Sequence, residues 1–164
     1  MYVKHYSDLK KLDFRKEYDH RKWFKPSGLW FTDNTEYSWE KWCLCERYAV
    51  DRLKYNFLLK IEDTSNLLII NNDKQFKAFE EEFIDNTNDD YYLSRYPKWD
   101  VVREKYKGII IMPYFSQFRY NDWYYPWDCS SGCIWDISIL KVVNRKLTKL
   151  PMFSDYEDYE DCED

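Results

Sequence analysis

Apolar and polar positions change rhythm several times along the chain, and each change marks an element. Residues 2–7 (YVKHYS) are short and alternating, and successive side chains of an extended chain face opposite ways, so a first strand is expected. Residues 8–25 are heavily charged, with Leu9, Leu12, Phe14 and Tyr18 irregularly spaced, and read as a weak helix or surface loop. Lys25-Pro26-Ser27-Gly28 has the composition of a turn. Residues 29–32 (LWFT) follow as a strand that Asp33-Asn34-Thr35 ends. Ser38 can serve as an N-cap. Trp39, Trp42 and Cys43 then recur at i, i+3 and i+4, one face of a helix running to about residue 53. Their simplest use is packing.

Further along, 55–62 and 66–70 are runs of β-formers. Asp73 can cap a helix whose Phe76, Phe79 and Phe83 form an apolar stripe, with Glu80, Glu81 and Glu82 directed mainly to solvent. Residues 86–90 form a polar loop. Pro97 suits the first position of another helix, with Trp99, Val102 and Tyr106 on its buried side and Gly108 closing it. Ile109-Ile110-Ile111-Met112 is apolar without interruption, the pattern of a strand covered on both faces. Residues 133–140 are again rich in β-formers. Short strands mixed with about three helices, without strict alternation, predict a compact α+β domain with a mixed or split sheet.

One stretch stands out. Residues 120–136 (YNDWYYPWDCSSGCIWD) gather Trp123, Trp127 and Trp135, three tyrosines including Tyr124, and Gly132, one of only three glycines. Buried Trp and Tyr need partners for N–H and O–H, and Asp122, Asp128, Ser130 and Ser131 stand beside them. Aromatic walls with a few polar groups describe ligand sites, although such rings fill cores at least as often. Placement decides: a concave wall favours a ligand, a flat exposed face favours a partner, and solid burial against helices favours packing alone.

Composition narrows the class. A length of 164 residues suits one domain, residues 1–153, and aromatics at 21% mean a core of large rings. No apolar run reaches the length of a membrane span, and the opening MYVKHYSDLKK lacks an apolar signal core, so a soluble intracellular (cytoplasmic) protein is expected. The net charge of −5 is uneven: the last eleven residues, 154–164, hold seven acids and no base, which leaves 25 basic against 23 acidic residues in the body. Such a run reads as a disordered tail, or as an internal competitor for an anionic ligand. Five cysteines without a secretion signal argue against a disulfide framework. Cys43, Cys45, Cys129 and Cys133 lack the spacing of zinc knuckles, so no metal site is assigned, and Cys162 lies in the tail. P-loop, G-x-G-x-x-G, G-x-S-x-G and H-E-x-x-H patterns are absent, and basic residues are scattered. His5 and His20 are the only histidines, and no local pattern pairs either with a cysteine.

Four motifs, at residues 25–31, 38–43, 108–114 and 123–135, together resemble a family of small proteins from bacteria and large DNA viruses without an established activity. A second resemblance is to the ADP-ribosyltransferase superfamily, whose first strand carries His or Arg and whose second carries a hydroxyl or aromatic residue. His5-Tyr6-Ser7 is similar to the first motif. Gly28 to Thr32 is similar to the second. The family's late-strand glutamate has no match: none occurs between Glu104 and the tail, so only Asp122, Asp128 and Asp136 offer a carboxylate, and aspartate is one methylene shorter. The resemblance implies an ADP-ribosyltransferase-like core, NAD as the ligand, and a protein or nucleic-acid acceptor. His5 would hold the adenosine ribose, Trp30 or Phe31 would stack on nicotinamide, and Asp128 would act as the acid. Tyr6, Ser7, Gly28, Trp123, Tyr124, Trp127 and Ser130 would complete the site. The competing expectation is a non-enzymatic interaction module that uses 120–136 as its binding surface.

Overall fold

A computed structural model describes residues 1–12, 18, 24–84 and 96–148. The loop at 86–90, His20 and the acidic tail with Cys162 lie outside the described residues.

Among the described residues, seven strands form one mixed sheet in the order β4-β5-β6-β2-β1-β3-β7. In chain order these are β1 (Tyr2–Ser7), β2 (Leu29–Thr32), β3 (Tyr55–Ile61), β4 (Leu67–Ile70), β5 (Gly108–Ile111), β6 (Ser131–Ile134) and β7 (Leu140–Leu147). Only β4 and β5 run parallel. Parallel neighbours need a long crossover, and here α2 (Asp73–Phe83) and α3 (Trp99–Lys105) lie within it. All other pairs are antiparallel.

The sheet is continuous yet nearly parts in the middle. β1 pairs with β3 over its whole length, from Tyr2 opposite Lys60 to Ser7 opposite Tyr55. β2 pairs fully with β6, from Leu29 opposite Ile134 to Thr32 opposite Ser131. Between themselves β1 and β2 share one ladder position, Lys4 opposite Thr32. Each is held on its outer side, so the two can diverge.

Both faces of the sheet are covered. On one, Phe76, Phe79 and Phe83 of α2 and Trp99 and Val102 of α3 pack with Ile109, Ile111, Trp123, Tyr124 and Trp127. On the other, Val3, Leu29, Phe31, Phe57, Leu59, Ile110, Ile134 and Ile139 make a second core. β5 feeds both, as its uninterrupted apolar sequence requires.

Several elements depart from the sequence pattern, each for a physical reason. The helix expected to reach residue 53 stops early: α1 spans Trp39–Cys45, and a separate 3-10 turn spans Val50–Leu53. Arg47 and Ala49 between them adopt left-handed φ values of 51° and 47°. The cap of α2 is Asn72, whose side chain accepts from the Gln75 amide at 3.0 Å, and Asp73 is the first helical residue. α3 starts at Trp99, because Pro97 is bridged to Ile84. Gly108 opens β5 instead of closing a helix; a Cβ there would lie 2.8 Å from the Cys133 carbonyl oxygen. The strand expected over 133–140 is two strands, separated where Asp136 caps a 3-10 turn at Ile137–Ile139. Glu80 is not simply solvated: its Oε1 accepts from Trp123 Nε1 at 2.9 Å and from Asn121 Nδ2 at 2.7 Å, tying the aromatic stretch to α2.

Candidate functional site

Where β1 and β2 diverge, a cleft of about 290 Å³ opens. Its walls come from β1 (Lys4, His5, Tyr6), β2 (Trp30, Phe31, Thr32), α1 (Trp39), and the residues just before and within β6 (Asp128, Cys129, Ser131), with Lys25 and Arg52 adding cations. The volume is at the lower end of ligand sites.

The missing ladder bonds are replaced by side chains. His5 Nδ1 lies 2.6 Å from the Trp30 carbonyl oxygen. A carbonyl only accepts, so Nδ1 carries the proton and donates. Burial holds the imidazole below its ordinary pKa, against the opposing pull of that hydrogen bond, which keeps His5 neutral near pH 7. Nε2 is then a bare acceptor, without a hydrogen-bond partner among the described residues. On the following residue, the Tyr6 hydroxyl donates to Glu40 Oε2 at 2.5 Å. Desolvation first, then this carboxylate, pushes the Tyr6 phenol far above its usual range. Thr32 Oγ1 donates to the Ser130 carbonyl at 2.6 Å and accepts from the Trp39 amide at 3.0 Å, which fixes the start of α1 against the cleft.

The opposite wall is aromatic and charged. Lys25 Nζ sits 5.1 Å from the Trp30 ring centre and 3.4 Å from Asp128 Oδ2, with both charged side chains about 30% exposed. Trp127 packs edge-on behind Trp30, centroids 4.9 Å apart. Arg52 is exposed, and its guanidinium makes no ion pair or hydrogen bond with any described residue. Cationic side chains beside exposed aromatic area suit an anionic ligand that carries a flat ring.

Of the residues singled out by sequence, His5, Tyr6, Trp30, Phe31 and Asp128 come together at this cleft. Phe31 gives it little surface, since its ring is buried beneath Gly132 in the second core. Trp123, Tyr124 and Trp127 do not line the cleft: all three are buried solid against α2 and the sheet. Ser7 takes a turn contact, its Oγ accepting from the Leu9 amide at 3.0 Å. Ser130 is buried and bonded to Asp33 Oδ2 at 2.5 Å, and Ser131 reaches the cleft in its place. Gly28 packs against Cys133 Sγ and the Ile134 carbonyl. Among the other late acids, Asp136 pairs with Lys107 at 3.1 Å and caps its own turn. The sequence pattern marked Trp39 for packing and Thr32 only as the end of a motif, and gave no site role to Lys4, Lys25, Glu40 or Arg52. Lys4 and Thr32 adjoin His5 and Trp30 in sequence, Lys25 lies in the turn before Trp30, and Trp39, Glu40 and Arg52 come from α1 and the 3-10 turn that follows it.

The free thiols among the described residues, Cys43, Cys129 and Cys133, are inert by environment, whereas Cys45 is disulfide-bonded, contrary to the expectation from sequence. Burial pushes Cys43 and Cys129 up to about 12 and Cys133 higher still, with Cys129 adding to the rise at Cys43. Among the described residues no three His, Cys, Asp or Glu side chains are placed to hold a metal ion. None of their helices is long and apolar enough to cross a membrane. No protein-family model, curated protein or solved structure matches the chain.

Proposed function

We propose that the β1/β2 cleft binds a nucleotide of the NAD class and that the chain transfers ADP-ribose from it to a macromolecular acceptor. The observation that carries this reading is the parting of β1 from β2. It gathers His5, Trp30 and Asp128 from three distant segments beside an uncommitted arginine. His5 Nε2 has the lone pair to accept from a ribose hydroxyl, and Trp30 offers a ring on which nicotinamide stacks. In the transfer the bond from nicotinamide to ribose C1′ breaks with its electron pair leaving on nicotinamide. The acceptor's nucleophile attacks C1′ and gives up its proton. Asp128 supplies negative charge beside the developing oxocarbenium ion, tempered by Lys25 at 3.4 Å.

The experiment is transfer of label from adenine-labelled NAD to macromolecules, with wild type, His5→Ala and Asp128→Ala. Label with wild type that falls at least about tenfold in either variant agrees with loss of a residue that orients or stabilises the reacting centre. If wild type transfers nothing, and saturating NAD and ADP-ribose leave the melting temperature unmoved, the reading fails, because a ligand of the native state must stabilise it. The alternative, a partner surface built from 120–136, is less favoured: Tyr120 and Tyr125 are the only large rings there that stay mostly exposed.

A further inference from the structure

The cleft continues past its rim. Trp39, which lines it, stacks on Trp42 with centroids 5.1 Å apart and planes 18° from parallel. Tyr48 stands edge-on to both, at 6.2 and 5.5 Å. None of the three is sealed in a core. Tyr48 is 54% exposed, and both tryptophans are half-buried. Left-handed residues at Arg47 and Ala49 flank Tyr48, a backbone that L residues adopt only at a cost. Arg52, with its guanidinium uncommitted, follows three residues beyond Ala49 and lines the cleft together with Trp39.

Size and charge decide what fits. At about 290 Å³, the low end of ligand sites, the cleft suits one nucleoside better than a whole dinucleotide. A lone nucleoside would leave Arg52 and the ledge without a role. A second nucleotide joined through phosphates uses both, since phosphate oxygens match a guanidinium fork and a base stacks on an aromatic face whatever its identity. We propose that Trp39, Trp42 and Tyr48 form a second base-stacking subsite, so that the ligand is a dinucleotide. One nucleoside lies in the cleft, the phosphates lie against Arg52 and Lys4, and the other base lies on the ledge. This rests on the nucleotide reading of the cleft and adds the extent of the ligand to it.

Calorimetric titration of the full chain with NAD, nicotinamide mononucleotide and adenosine monophosphate tests it. NAD is expected to bind at least about fivefold more tightly than nicotinamide mononucleotide, the factor one stacked base supplies. Trp42→Ala, outside the cleft lining, removes that advantage while the mononucleotide's affinity stays as it was; Trp42→Phe restores most of it. Tyr48→Ala, at an exposed position, gives a partial loss and serves should Trp42→Ala fail to fold. Equal affinities for NAD and the mononucleotide, or an advantage that survives both alanine variants, overturn the subsite and leave the cleft a nucleotide site. If no nucleotide binds, the nucleotide reading falls and the ledge proposal with it.

Discussion

His5 uses one ring nitrogen to close a gap in the backbone pairing and leaves the other open. Its pKa is lowered by burial from 6.5, so the folded state prefers the neutral ring. The sign follows: this contribution is fully present above pH 6.5 and is lost as the pH falls through 6.5 toward the folded value, because the unfolded chain takes up the proton first. Wild type should therefore lose stability between pH 7 and pH 5.5 more steeply than His5→Asn, whose amide can still donate to the Trp30 carbonyl. Urea midpoints across that range check it; parallel slopes would mean that His5 does not set the pH dependence of stability. Gly132 is the other single residue with an outsized role. A Cβ there would meet the Phe31 ring and lie 2.8 Å from the Ile109 carbonyl. Gly132→Ala should destabilise by about 1–3 kcal/mol, the usual range for overpacking, visible as a lower denaturant midpoint.

Among the elements, α2 separates two readings of its own start. Asn72 Oδ1 accepts from the Gln75 amide, so Asn72→Ala should lower stability by about 1 kcal/mol, as loss of an N-cap does. Asp73→Ala should cost clearly less; the reverse order in thermal melts would return the cap to Asp73. The example shows what the sequence made legible. The Phe76, Phe79 and Phe83 stripe identified the helix, while the choice between adjacent Asn and Asp depended on which residue is extended, a fact of the chain's entry angle. β5 was legible from four apolar residues in a row. β7 was not: every residue after Leu140 in it is exposed, so no hydrophobic rhythm marks it, and pairing with β3 alone makes it a strand. The aromatic stretch at 120–136 was legible as an organising feature but not as a core, because nothing local shows that Glu80, some forty residues earlier, receives the Trp123 N–H.

At the scale of the molecule, the seam between β1 and β2 divides a four-stranded part from a three-stranded part joined by one ladder position. Amides of β1 and β2 that face each other beyond Lys4 and Thr32 should exchange with solvent faster than those bonded across β5 and β6. Ligand in the cleft should slow them. Uniform protection along the sheet in hydrogen-exchange measurements would contradict a parted seam. The candidate site was partly readable in sequence because β1 and β2 each carried one conspicuous residue, His5 and Trp30. Asp128 was chosen from three late acids on the resemblance alone; its place beside the cleft depends on the register of β6 against β2.

That register also has a consequence in time. Leu29 pairs with Ile134, so on a growing chain β2 leaves the ribosome about a hundred residues ahead of the strand that completes it. At about 5–20 residues per second that is a wait of roughly 5–20 s. During it, Trp30 and Phe31 stand on a strand with almost no neighbour on either side. A polypeptide halted before residue 131 would keep that sticky edge permanently, and quality-control machinery would meet the unfinished protein as an exposed aromatic ribbon.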